Sequence, residues 1–286
     1  MQQKMIPRIS TELSDWSHIK IGNRTDGLFL PKDHDQLSLC LKEINSAGLI
    51  PIPLGAGSNI LFGNTSHYGL ISDKHLPHFW KLDKGKVIVS ANYNITQLIM
   101  DLALKDLGGL EFLAGIPAHL GGIAKMNAGA YGFEIADFIS QLKFVTFNGK
   151  ETILSRDEID YGYRKSNIPG FITELILDLP RKPKLQILKE AKTNILSRKM
   201  KQPMQYPNLG SIFKNPPKMF AGQLLELTGF KGKQKGGMAF SEMHANFLIN
   251  IDQGNFNDAI FLINAAKSAV KSKFNVVMET EIKVID

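Results

Sequence analysis

Apolar residues recur along this chain with two spacings, and the changes between them mark out its elements. Over residues 33–47 the apolar positions Leu37, Leu41 and Ile44 share one stripe of a helix. Asp33 stands where an N-cap belongs and Gly48 where a helix stops. Residues 95–107 predict a second helix, closed by Gly108 and Gly109. Further helices are predicted over 185–200, 221–228 and 256–272. Short apolar or alternating runs at 69–72, 86–91 and 171–179 read as strands, and a closing strand is expected over 276–285. The runs 141–147 and 152–154 flank Asn148-Gly149, a hairpin signal. Residues 49–54 are apolar but carry Pro51 and Pro53, and they lead into a glycine-rich turn. Residues 110–133 lack either period and are rich in Gly and Ala, the kind of irregular stretch that is usually functional.

Strands and helices intermix without regular βαβ alternation, so the expected class is α+β. The punctuation at Pro180 and Pro183 suggests a boundary, giving a domain over 1–183, itself split near 75, and a smaller one over 184–286. A length of 286 residues with 43% hydrophobic and 21% charged residues is enough for two packed domains and argues against disorder. The net charge of +7 favours anionic partners. The basic runs near 198–201 and 231–235 are short and lack interleaved aromatics, so nucleic acid is not expected. A single cysteine, Cys40, excludes an internal disulfide. Residues 1–16 lack the apolar core of a leader, and no run is long enough to span a membrane, so the expected location is the cytoplasm with no membrane partner. No metal site is expected, and a monomer is.

Two segments carry candidate chemistry. Leu54-Gly55-Ala56-Gly57-Ser58-Asn59-Ile60 can turn tightly and offer successive amides to phosphate oxygens. It lacks the third glycine of a Rossmann fingerprint. Gly115-Ile116-Pro117-Ala118-His119-Leu120-Gly121-Gly122, running on to Met126-Asn127-Ala128-Gly129-Ala130-Tyr131-Gly132, clears space for a bulky flat group or for close backbone packing.

These segments, in this order, resemble the UDP-N-acetylenolpyruvoylglucosamine reductase family, often called MurB. The resemblance continues through Tyr161-Gly162-Tyr163-Arg164-Lys165-Ser166, Asn208-Leu209-Gly210-Ser211-Ile212-Phe213-Lys214-Asn215-Pro216, Ser241-Glu242-Met243-His244-Ala245-Asn246-Phe247 and Met278-Glu279-Thr280-Glu281. It implies an FAD domain of the vanillyl-alcohol-oxidase-like (PCMH) type, a C-terminal substrate domain, NADPH as hydride donor and an anionic enolpyruvyl UDP-sugar as acceptor. It assigns Gly55, Ala56, Gly57, Ser58, Asn59 and Ile60 to the FAD diphosphate. Gly115, Ile116, Pro117, Gly121, Gly122, Asn127, Ala128, Gly129 and Ala130 would line the rest of the cofactor. Arg164, Ser211 and Glu281 fall on the catalytic positions, and Lys214, Asn215 and His244 would face the substrate or nicotinamide. On a strand Glu279 would share the face of Glu281, so alternation does not separate them. Arg24, Ala118 and Lys283 depart from the usual pattern. The stretch between Arg164 and Ser211 is short, as in the subclass without the inserted tyrosine loop. The competing readings are another flavin-dependent oxidoreductase on the same fold and a non-catalytic basic binding protein.

Overall fold

The computed structural model describes residues 8–286. The stretch read as lacking a leader therefore begins outside the described residues. The chain divides into two compact units. One takes Asp26–Ala56 and His67–Leu196, with the chain up to Ser10, and the other takes Thr11–Thr25, Gly57–Ser66 and Ser197–Asp286. Both mix strands with helices: α1 (His34–Ser46), α2 (Ile95–Ala103), α3 (Leu120–Lys125), α4 (Lys184–Lys201), α5 (Ala221–Leu227) and α6 (Phe256–Phe274). Among the described residues no helix is long and apolar enough to cross a membrane.

The first unit begins with a four-stranded sheet in which Tyr68–Ser72 lies parallel to both Arg24–Phe29 and Ile50–Leu54. Ile50–Leu54 forms a strand despite Pro51 and Pro53 because it is the sheet's edge. In a parallel ladder alternate residues bond the same neighbour. Ile50 N donates to His67 O and Asp73 N to Leu54 O, so both prolines fall on the outer side, where no donor is needed. Helix α1 is capped by Asp33, whose side chain accepts from Gln36 N at 2.7 Å. Its stripe of Leu37, Cys40, Leu41 and Ile44 packs with Phe29, Ile71, Val145 and Phe171.

The rest of this unit is an antiparallel five-stranded sheet in the order Glu151–Ser155, Ile139–Thr146, Gly170–Leu177, Lys86–Ser90, Trp80–Asp83. The Asn148-Gly149 turn joins the first two, with Gly149 at φ 84°. The core beside this sheet takes in Leu98, Leu102, Leu120, Ile123, Leu142 and Leu175. Helix α2 ends at Ala103, four residues before the expected stop, and the chain turns through Asp106 at φ 52°. Helix α4 packs with the residues before it, through buried Ile187 and Ala191. Lys182, two residues ahead of α4, lies 2.6 Å from Glu190 and 3.4 Å from Glu111. Glu111 is 4% exposed, and its Oε2 also accepts the amide of Gly109 at 2.9 Å.

The second unit has the sheet order Asn208–Ser211, Phe247–Asn250, Met238–Phe240, Gln234–Lys235, all antiparallel. Its core joins Phe213, Phe230, Phe240 and Leu248 to the buried stripe of α6 (Ala259, Leu262, Ile263, Ala266, Val270) and to Ile19 and Leu61. The strand expected over 276–285 is limited to Lys283–Ile285, which pairs in parallel with Ile60–Phe62. Residues 281–282 form a bend instead, because the backbone just before them turns sideways to another segment.

Lys182→Met would leave Glu111 buried without its counter-charge. The expected cost is about 1–3 kcal/mol, less than for a fully buried pair because Lys182 keeps some contact with water. Urea denaturation should show a lowered midpoint at unchanged slope.

Candidate active site

In the first unit the candidate residues gather on three short segments. Gly55 and Ala56 follow the edge strand, and their amides make no hydrogen bond among the described residues. Gly115 adopts φ 84° and donates its amide to Thr96 Oγ1 at 3.0 Å, with Ile116 and Pro117 following. Helix α3 then begins inside the stretch that has no sequence period. Gly121 donates to Ala91 O at 2.8 Å, and a Cβ at Gly122 would meet nothing within 4 Å. Asn127 is in the left-handed region at φ 44° and only 1% exposed. Its amide nitrogen donates to Glu134 at 2.6 Å and to Gly162 O at 3.2 Å, while its oxygen accepts from Ala136 N. The Asn127 side chain is thus spent on holding its own loop. Gly129–Ala130 pairs with Phe133–Glu134 across Tyr131-Gly132, both at positive φ, as a two-residue hairpin turn demands.

Arg164 sits at the tip of a second small hairpin, between Tyr161–Gly162 and Lys165–Ser166. Its φ of 55° is unusual for a residue with a side chain and costs about 1 kcal/mol. The guanidinium supplies compensation. It donates to Gly129 O at 2.6 Å and Asn127 O at 3.3 Å, and it lies 5.0 Å from the Tyr163 ring centre. Its Nη1 is 3.9 Å from Glu134. The charge is held at a defined place on the small-residue segment.

In the second unit Gly57 (φ 72°) passes so close to the Trp16 carbonyl that a Cβ would lie 1.9 Å from its oxygen. The amides of Gly57, Ser58 and Asn59 make no hydrogen bond among the described residues. The Asn59 side chain does. It donates to Glu281 O at 3.3 Å, and Asn59 O accepts from Lys283 N, so this asparagine ties Ile60–Phe62 to the closing segment.

Ser211 ends a strand that is irregular just before it, where Gly210 takes φ 76° and donates to Asn208 Oδ1. The Ser211 hydroxyl is half-buried and makes no hydrogen bond among the described residues. The residues after it run beside the closing segment. Glu281 N donates to Ile212 O at 2.7 Å, Phe213 bridges to Thr280, and Lys214 N donates to Glu279 O at 2.9 Å. This separates the two glutamates. Glu279 has a side chain 73% exposed and pairs with Lys214 Nζ at 3.3 Å, whereas Glu281 is half-buried beside the serine's own strand. Asn215 is exposed, with Oδ1 accepting from Ala221 N at the start of α5. His244 Nδ1 accepts from Asn246 N at 3.2 Å. Burial depresses the His244 pKa below 6.5, outweighing its backbone hydrogen bond and Glu226, which raise it, while Lys231 lowers it further.

One residue with a decisive place had no role in the sequence reading. Asn246, 3% exposed, accepts from Phe213 N at 3.0 Å and donates to Phe213 O at 2.8 Å, while its own carbonyl accepts from Ile212 N at 2.8 Å. The signal available was an amide ahead of the apolar run Phe247-Leu248-Ile249, where a buried polar group needs partners.

Residues 25–155 match the profile described as an FAD binding domain, and residues 202–285 match that of the UDP-N-acetylenolpyruvoylglucosamine reductase C-terminal domain. A relative in Aquifex aeolicus bearing that reductase name is 39% identical over 96% of this chain and 93% of its own. The chain belongs to the UDP-N-acetylenolpyruvoylglucosamine reductase family. A Bacillus licheniformis reductase is 35% identical over 96% of this chain and 92% of its own. The solved reductase (MurB) of Thermus caldophilus superposes with a TM-score of 0.84 at 28% identity, covering 99% of this chain and all of that one.

The residues present fit the cofactor that this domain takes. Glycine-rich turns with unbonded amides suit phosphate oxygens, and Asp73 Oδ1 is a buried acceptor without a partner among the described residues.

Two outcomes are expected. Asn246→Ala strips both buried backbone groups of Phe213 and should cost about 2–4 kcal/mol in thermal unfolding. The His244 pKa is lower folded than unfolded, so the unfolded chain binds more protons as pH falls below 6.5, and the native state loses stability there. Melting curves from pH 7.5 down to 5 should therefore fall more steeply for the wild type than for His244→Gln.

Proposed function

We propose that this chain reduces the enolpyruvyl group of a UDP-N-acetylglucosamine ether to give UDP-N-acetylmuramate, a precursor of peptidoglycan. The observation that carries the reading is Ser211. Its hydroxyl has no partner among the described residues, yet the next residue, Ile212, is pinned to Glu281 on one side and to Asn246 on the other. A side chain held in place with its donor unspent is suited to proton transfer to a substrate. Relatives named as UDP-N-acetylenolpyruvoylglucosamine reductases match nearly the whole chain, which supports this substrate class.

When bound, FAD would supply the hydride chemistry, passing reducing equivalents from NADPH to the β-carbon of the enolpyruvyl group. The turn Gly55-Ala56-Gly57-Ser58-Asn59-Ile60 and the small-residue segment would hold the cofactor, and the residues after Ser197 would bind the sugar nucleotide. Negative charge then grows on the α-carbon and its carboxylate. Arg164 stabilises that charge with a guanidinium already fixed by the carbonyls of Asn127 and Gly129, so little reorganisation is needed. Ser211 donates its proton to the α-carbon, and Glu281 supports the same charge as a carboxylic acid. Lys214, Asn215 and His244 are the proposed contacts to the sugar nucleotide. The reading assigns the protein to the cytoplasm, where its soluble nucleotide substrates are made, and requires no partner chain.

Purified protein should be yellow, and its NADPH consumption should depend on the enolpyruvyl UDP-sugar. Ser211→Ala should still consume NADPH to reduce its flavin, but turnover of the sugar should fall by about 10²–10⁴-fold. Loss of flavin reduction in this variant would remove Ser211 from the proton-donor role.

A further inference from the structure

One buried pair in the first unit has no part in the chemistry above. Asp73 follows the strand Tyr68–Ser72 and is 5% exposed. Its backbone is tied down: its amide donates to Leu54 O at 3.1 Å, and its carbonyl accepts from Asn92 Nδ2 at 3.1 Å. Its Oδ2 lies 2.8 Å from His119 Nδ1. The carboxylate therefore draws the ring proton to Nδ1 and fixes the plane of the imidazole. His119 is one quarter exposed, and its Nε2 makes no hydrogen bond among the described residues. Both side chains stand at Gly55, where a Cβ would lie 3.5 Å from Asp73 Oδ2 and 3.7 Å from His119 Nδ1.

The pair is incomplete as it stands. Asp73 Oδ1 is buried with no partner among the described residues, an arrangement that costs free energy unless a donor arrives. The hydroxyls of a nucleotide are such donors. A lone carboxylate beside the Gly55 amide would repel a diphosphate. The imidazole beside it occupies Oδ2 and turns its second nitrogen, Nε2, away from the carboxylate. We propose that Asp73 and His119 form a cofactor-binding pair, with Asp73 orienting the ring so that His119 Nε2 hydrogen-bonds FAD at the Gly55 turn. His119 is then a binding residue and Asp73 a positioning residue. The inference rests on the FAD reading above.

The test is FAD affinity of the full-length chain stripped of flavin, followed by quenching of flavin fluorescence, alongside thermal unfolding of the same flavin-free protein. His119→Ala should weaken FAD binding by about tenfold, the worth of one hydrogen bond. Asp73→Ala should weaken it comparably. The double variant should bind no worse than the weaker single one, because the two act as a unit. Asp73→Asn, which still offers Nδ1–H an acceptor, should retain more affinity than Asp73→Ala. Unfolding of the flavin-free variants should match the wild type. FAD affinity of His119→Ala within about twofold of wild type would overturn the inference, as would losses that simply add. A drop in flavin-free stability that parallels the drop in affinity would also overturn it, since the pair would then be only structural. Wild-type protein that takes up no FAD would overturn the cofactor reading itself.

Discussion

The second unit depends on one amide. Asn246 occupies both backbone groups of Phe213 with its side chain and takes the amide of Ile212 on its own carbonyl. Everything proposed for Ser211 follows from that clamp. The serine precedes Ile212 directly, and Ile212 O in turn accepts the amide of Glu281. A hydroxyl and a carboxylate from segments seventy residues apart in sequence are thereby placed on neighbouring backbone. A buried asparagine bonded through both the oxygen and the nitrogen of its side chain is stabilising only while the whole set is intact, so one substitution there would disturb several contacts at once.

The first unit uses the same device with charge added. Arg164 adopts a left-handed backbone that a residue with a side chain seldom takes, and two carbonyls of the small-residue segment hold its guanidinium. Those carbonyls are presented by a loop that Asn127 braces from within. The glycines and alanines at 115–130 thus serve two ends. They leave open space, as at Gly122, and they let backbone carbonyls reach the arginine without side chains in the way. Strain at Arg164 is offset by hydrogen bonds in a place where a fixed positive charge is useful.

Much of this architecture could be read from the chain. Helix α1 shows a full stripe, an aspartate cap and a stop glycine, because its stability comes from one apolar face. Helix α3 is invisible to the same logic. It has six residues, two of them glycine, and it is held by Leu120, Ile123 and Ala124 in the core rather than by propensity. The prolines of Ile50–Leu54 argue against a strand until the sheet's edge is known. The closing segment shows the opposite error. Its alternation reads as a strand through to 285, but Glu279 and Glu281 bond across to Lys214 and Ile212, and periodicity carries no information about such a partner. That partner also distinguishes the two glutamates. The proposed catalytic roles of Arg164, Ser211 and Glu281 rest on the ordered family motifs, since no spacing in the chain points to them. Asp73, His119 and Asn246 became informative only when their burial and bonding partners were known.

In the proposed reaction the enolpyruvyl sugar nucleotide is the oxidant of the flavin. An anaerobic single-turnover experiment tests it most directly. Enzyme reduced with one equivalent of NADPH is mixed with the enolpyruvyl UDP-sugar while flavin absorbance and product are followed together. Flavin colour should return in step with formation of one equivalent of UDP-N-acetylmuramate. Flavin that stays bleached in the presence of the sugar, and recovers only when oxygen is admitted, would contradict it.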